Sequence, residues 1–140
     1  MAPKKFAADV RAFADKTRVQ MHAVLAESLQ DVVEIAQTPK AKGGRMPVDT
    51  GYLRNSLVSG LNGSFGPPSA DSYLLTIAQF QIGDVIRFAW TAPYARRINS
   101  GFSGTDSLGR TYEQVGAHFI DAAAAQWPQI VTANAARLKK

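Results

Sequence analysis

The chain has 140 residues, 46% of them hydrophobic and 19% charged, with no cysteine and a formal net charge of +5. That length is near the modal size of one domain and the apolar fraction supports a core, so residues 1–140 are expected to form a single domain. The missing cysteines exclude disulfide staples and thiolate metal sites; the low charged fraction points to extra buried surface between subunits; the basic balance admits nucleic acid, an acidic protein partner or simple solubility.

The opening Met1-Ala2-Pro3-Lys4-Lys5 is basic, but Asp9, Arg11, Asp15 and Lys16 break up the next dozen residues, so no signal peptide is expected. No run approaches the roughly 18 continuous apolar residues of a membrane span, and no membrane partner is expected. From about Phe6 to Gln37 the chain reads as one long helix. Phe6, Val10, Phe13, Met21, Val24, Leu25, Val32 and Ile35 recur at three-, four- and seven-residue steps, and no Gly or Pro breaks the run. At about 1.5 Å per residue this is a rod of roughly 48 Å, long enough to overhang its own domain and pack on a neighbour.

The charges of the rod are polarised. Lys4, Lys5, Arg11, Lys16 and Arg18 outweigh Asp9 and Asp15 in the first half, whereas Glu27, Asp31 and Glu34 stand without a basic residue in the second. This opposes the helix dipole, so helix stability does not explain it. An acidic surface on a neighbouring subunit facing the basic half would.

Thr38-Pro39 ends the rod. Residues 39–48 read as a flexible basic loop; Gly43 and Gly44 lack the spacing and the Lys-Ser/Thr end of a phosphate loop. Asp49 or Thr50 caps a short helical turn containing Leu53. A strand is expected over about Ser56 to Leu61, a Gly/Pro/Ser loop over 62–71, and two further strands over Ser72 to Phe80 and Val85 to Trp90 joined by a turn at Ile82-Gly83-Asp84. Ile86, Phe88 and Trp90 share the core face of the last strand; Arg87 faces water or a partner. Pro93 opens a short helical piece, residues 99–111 form a second Gly/Ser loop, and helix resumes from about Tyr112. Val115, Phe119, Ile120, Ala123, Trp127, Ile130 and Val131 are its apolar positions, and Pro128 kinks or restarts it. The fold class expected is α+β: a long N-terminal helix, a small antiparallel sheet of three or four strands, and a C-terminal helix packed on the sheet.

No catalytic constellation emerges. Asp49-Thr50-Gly51 matches the triplet of an aspartic protease, which needs two such carboxylates sharing a proton. Here the flanking residues are wrong for an apolar strand, and a long helix occupies the N-terminal region where strands are required. His22 and His118 lie in no metal-binding spacing, and no serine sits in a nucleophile elbow. Catalytic residues, cofactors and metals are therefore expected to be none. Arg54, Arg87, Arg96, Arg97 and Arg110, with Tyr94 and Phe102 for stacking, offer a non-specific nucleic-acid surface as the rival reading.

Three stretches carry a resemblance. Pro47-Val48-Asp49-Thr50-Gly51-Tyr52-Leu53-Arg54-Asn55-Ser56 resembles the P-x-D-T-G-x-L-R-x-S signature of the tail-component family of long-tailed phages, the neck or tail-completion proteins of lambda-like siphophages. Pro93-Tyr94-Ala95-Arg96-Arg97-Ile98-Asn99-Ser100-Gly101 resembles its Y-A-x-x-x-E-x-G element, and His118-Phe119-Ile120-Asp121-Ala122-Ala123 its P-F-L-x-x-A opening to the last helix. Order and spacing agree over roughly residues 6–135. Asn99 stands where the family usually has glutamate and His118 where proline is common, which puts in doubt any ion pair made by that glutamate.

The resemblance implies a non-enzymatic virion protein, assembled in the bacterial host cytoplasm. It would form a ring, commonly sixfold, joining the capsid connector to the tail tube. A tail terminator or head-closure ring is the alternative within the same machine. Implied partners are further copies of itself, the adjacent neck or connector protein, the tail tube or tail terminator protein, and phage DNA in transient contact with the lumen. Within the motifs Pro47, Asp49, Thr50, Gly51, Leu53, Ser56, Tyr94, Ala95, Gly101 and Phe119 would be structural. Asp49 and Thr50 would cap, Gly51 would allow close approach or an unusual dihedral, and Leu53 and Leu57 would anchor the turn. Arg54, Arg87, Arg96 and Arg97 are the candidates for subunit contacts or a basic lumen.

Overall fold

A computed structural model describes residues 2–47, 51–105 and 108–138. Its first element, α1 (Ala2–Gln37), is a single helix of 36 residues, hence about 54 Å long. It stops where the sequence places the stop: Thr38 turns its hydroxyl back to the Glu34 carbonyl at 2.7 Å, and Pro39 cannot continue the ladder. The next, basic segment is more ordered than its composition suggests. Residues Lys40–Lys42 make a 3-10 turn, Lys40 N–H donates to the Met46 carbonyl at 3.1 Å, and Met46 N–H donates to the Thr38 carbonyl at 3.2 Å. Met46 is fully buried and pins the turn.

A four-residue helix α2 (Tyr52–Asn55) leads into β1 (Leu57–Leu61). The expected loop after it opens instead with a tight hairpin to β2 (Ser64–Phe65). Asn62 and Gly63 both have positive φ, as a two-residue Asn-Gly turn requires. The expected strand at 72–80 is a helix, α3 (Ser72–Gln79). Tyr73 and Ile77, four apart, are its buried positions, joined by Phe80 just past its end, and Leu74 and Leu75 are exposed. The helical period therefore wins over the alternation expected from the sequence.

Next come β3 (Ile86–Trp90), α4 (Ala95–Ser100), a hairpin of β4 (Phe102–Thr105) and β5 (Thr111–Gln114), and two helices, α5 (Phe119–Ala125) and α6 (Trp127–Arg137). The expected loop over 99–111 is corrected at both ends, since Asn99 and Ser100 belong to α4, residues 102–105 form β4 and Thr111 opens β5. Helix begins at Phe119 rather than Tyr112, and Val115 lies exposed outside it. Pro128 does restart the helix, sitting in the first turn of α6 where its missing N–H costs nothing.

The main sheet is antiparallel with order β2-β1-β3, and Leu57 lies opposite Trp90, Gly60 opposite Arg87. The α+β class thus stands, with the three-stranded sheet carrying the core and the β4–β5 hairpin separate from it. One core cluster joins Leu29 and Val33 of α1, Leu57 of β1, and Tyr73, Ile77 and Phe80. Ile86, Phe88, Trp90 and Trp127 pack against it. Fully burying a side chain such as Leu57 or Val33 stabilises by about 1.5–3 kcal/mol. Gln37 fastens the end of α1 by donating to the Ala70 carbonyl at 2.8 Å and accepting from Trp90 Nε1 at 3.4 Å. The C-terminal helices lie mainly along α1 and reach the sheet through Phe119 and Trp127.

Candidate interaction surfaces

The three motif stretches, far apart in sequence, meet in a second core cluster. Leu53 from the first and Met46 just before it, Ala92 and Ala95 around the second, and Phe119 from the third are all buried together, with Trp90, Ile98 and Ala117 against them. Phe119 meets Trp90 edge to face, ring centroids 5.4 Å apart. Ser56 is buried, donates its hydroxyl to the Leu53 carbonyl at 2.6 Å, and accepts at its own carbonyl from both Thr91 N–H and Thr91 Oγ1. Pro47 is half-buried. Gly51 holds the N-cap position of α2 with φ +83°, and no side chain caps there. Asp49 and Thr50, the expected capping residues, lie outside the described residues. Gly101 closes α4, its N–H donating to the Arg97 carbonyl at 2.7 Å.

Asn99 carries a role that the sequence does not announce. It is buried, its amide oxygen accepts from Ile120 N–H at 2.9 Å, and its Nδ2 donates to Asp121 Oδ1 at 3.3 Å. It therefore caps the N-terminus of α5 from another helix, satisfying a backbone donor that no local side chain covers. The amide both donates and accepts; an ionised glutamate at this position could only accept. His118 precedes α5 in the left-handed region and places Nδ1 3.1 Å from Asp121 Oδ2. The hydrogen bonds from His118 and then Asn99 hold the Asp121 carboxyl below the usual aspartate range. The α4–α5 junction is so close that Gly116 has no room for a side chain: an added Cβ would lie 2.6 Å from the Asn99 carbonyl oxygen.

Of the arginines singled out, Arg54 on α2 and Arg96 and Arg97 on α4 are all exposed, on helices tied together by the Tyr52–Tyr94 pair, whose ring centroids are 5.9 Å apart. Arg87 is also exposed but pairs with Gly60, three residues and about 10 Å along the strand from the Leu57 end, where α2 attaches. The structure thus brings Arg54, Arg96 and Arg97 together through the paired helices α2 and α4 and sets Arg87 apart.

The longest exposed run among the described residues lies in the N-terminal half of α1. Every residue from 5 to 16 is exposed, with Phe6 at 71%, Val10 at 50% and Phe13 at 72%. These three continue in a four-three-four-three-four spacing through Thr17 and Gln20 to Val24, the spacing of a helix–helix seam. From Val24 onward α6 runs alongside. Asn134 donates to Ser28 Oγ at 3.0 Å and to Asp31 Oδ2 at 2.9 Å, and Arg137 pairs with Glu27 at 3.1 Å. Where α6 ends, a groove of about 340 Å³ opens between the two helices, lined by Met21, Val24, Leu25, Val131, Ala135 and Leu138. Further along the same helix pair, Asp31 and Glu34 edge a second hollow of about 480 Å³ with Ile35 and Ile130.

Among the described residues no group of three His, Cys, Asp or Glu side chains is placed to hold a metal ion, and no helix is long and apolar enough to cross a membrane. No family model, curated protein or solved structure matches the chain.

Proposed function

We propose that this chain is a structural protein that works by self-assembly, forming a ring in the neck of a long-tailed phage between the capsid connector and the tail tube. The observation that carries the self-assembly is the exposed apolar stripe of Phe6, Val10 and Phe13 on α1. A helix with Phe6, Val10 and Phe13 in water is poorly justified in a monomer, since exposed contiguous apolar surface marks an interaction site. The placement in a phage neck rests on the three sequence stretches, whose residues Leu53, Ala95 and Phe119 share one core cluster. Motifs of that kind hold a fold together, and their role here is structural. Tail terminator and head closure are the neighbouring assignments within the same machine. A ring needs two different complementary surfaces on each copy, and closes when the rotation between copies divides a full turn.

The test is native mass measurement of the purified protein, alone and mixed with phage connector and tail tube proteins. Discrete oligomers, or oligomers nucleated by either neighbour, are expected. A chain that stays monomeric with both would sink the proposal.

One observation favours a second reading. Arg54, Arg96 and Arg97 flank the exposed Tyr52–Tyr94 pair, and cations around aromatic rings suit single-stranded nucleic acid. Affinity for an oligonucleotide that falls steeply with salt, measured on monomeric protein, would move the assignment to nucleic-acid binding.

A further inference from the structure

We propose that the arm of one copy, residues 5–19 of α1, lies in the α1–α6 groove of a second copy. Phe6, Val10 and Phe13 would cover the apolar floor at Met21, Val24, Val131 and Ala135. This rests on the self-assembly reading above and names the two surfaces that would meet.

The arm cannot reach its own groove. Phe6 and Met21 belong to one unbroken helix and are separated by fifteen residues, about 22 Å. The arm's apolar stripe is in register with the groove lining, because Thr17 and Val24 belong to both the seam and the groove. On one copy, then, the seam is covered by α6 at one end and bare at the other. A second helix laid antiparallel to α1 would extend the helix packing that α6 begins.

Charge selects the arm of another copy as that helix. Residues 5–19 carry Lys5, Arg11, Lys16 and Arg18 against Asp9 and Asp15, while residues 21–37 carry three acids and no base. In the antiparallel arrangement the tip of the arm, with Lys5, points toward Glu27, Asp31 and Glu34. Arg137 already neutralises Glu27, whereas Asp31 and Glu34, on the lip of the second hollow, accept hydrogen bonds from the neutral amides of Asn134 and Gln30 and keep their charge for incoming cations. The dipole penalty noted in the sequence is thus offset by ion pairing between subunits. Arm and groove are different surfaces, so each copy gives one and receives one, which is the heterologous contact that propagates into a ring.

The chain has no cysteine, so engineered thiols report without background. Val10→Cys places a thiol on the arm and Ala135→Cys one at the groove, both on exposed sites where the fold is undisturbed. Mixed and oxidised, the two single variants are expected to give a disulfide-linked pair, because only a partner's arm brings the two Cα atoms within the roughly 7 Å a disulfide needs. A double variant Phe6→Asp/Phe13→Asp should weaken self-association by about 100-fold or more, as loss of two buried aromatic anchors implies.

Four outcomes overturn the proposal in different ways. Wild-type oligomers with no Val10→Cys/Ala135→Cys pair would refute the arm-in-groove contact and leave the ring reading standing. Val10→Cys homodimers without mixed pairs would show arm against arm. Flotation of monomeric protein with phosphatidylserine vesicles, lost in Phe6→Asp/Phe13→Asp, would reassign the arm to a membrane surface. A wild-type chain that is monomeric alone and with its neck neighbours, and gives no cross-link, would refute both readings together.

Discussion

Asn134 is the residue on which the junction of α6 with α1 turns, and its removal has a calculable cost. The side chain is 5% exposed; it donates to Ser28 Oγ and Asp31 Oδ2 and accepts from Arg137 at 3.1 Å. Asn134→Ala deletes three bonds: one to the neutral Ser28 hydroxyl, about 1 kcal/mol, one to the Asp31 carboxylate, about 1.5–3 kcal/mol, and one from the exposed Arg137 guanidinium, which regains water and adds little. Asp31 is only half-buried and regains water, which keeps its share at the low end. Ser28, fully buried, does not. The expected loss is about 2–3 kcal/mol, or roughly 6–12 °C in Tm for a chain of this size. Urea denaturation at matched protein concentration should show a lower midpoint with an unchanged m-value. In a double-mutant cycle, Ser28→Ala and Asn134→Ala should be non-additive by about 1 kcal/mol, because the second change removes a partner already lost. Strict additivity, or a loss under about 0.5 kcal/mol for Asn134→Ala, would refute the view that this polar contact fastens α6 to the rod.

The α4–α5 junction yields two further predictions. Gly116→Ala forces a methyl against the backbone of Asn99, Ser100 and Gly101 at 2.6–2.8 Å, so it should cost about 1–3 kcal/mol by thermal melt; a neutral outcome would show that the junction can open. Asp121 has a depressed folded pKa, so its contribution is present above pH 3.8 and is lost as pH falls below that through the lowered value. The stability gap between wild type and Asp121→Asn should therefore narrow on acidification below pH 3.8, and a gap that stays constant would contradict the hydrogen-bonded carboxylate. Charge reversal at Arg54 and Arg96 should leave stability within about 0.5 kcal/mol of wild type, as exposed positions usually do, while reducing ring formation in native mass spectra. Assembly unchanged by that reversal would remove these arginines from the interface.

How much of the fold is readable in the sequence depends on segment length and on where partners lie along the chain. The rod over Phe6 to Gln37 and its stop at Pro39 are legible because a long run of one period and a proline leave little choice. The same holds for the core face of β3 and the restart at Pro128, both set by local geometry. Ser72 to Phe80 misleads because a short, mostly apolar stretch satisfies both periods. Only packing against Leu57 and α1 selects Tyr73, Ile77 and Phe80 as the buried set and leaves Leu75 in water. The Asn62-Gly63 turn does have a signal in the sequence, the Asn-Gly pair itself, hidden within a longer Gly/Pro/Ser stretch that reads as loop. The β4–β5 hairpin has no such signal, since each four-residue strand is defined by the other.

The sequence alone determined the local decisions: which stretches coil, where proline stops them, that no thiol chemistry is available, and that the rod is basic at one end and acidic at the other. Tertiary structure decided what distance along the chain conceals. It gathered Leu53, Ala95 and Phe119 into one cluster, set Asn99 to cap a helix about twenty residues away, and fixed where α6 runs out along α1. The reason is physical. Helix propensity and proline geometry act over one or two turns, whereas burial depends on which surfaces meet, and no local pattern states that Phe6, Val10 and Phe13 are among the apolar residues left in water.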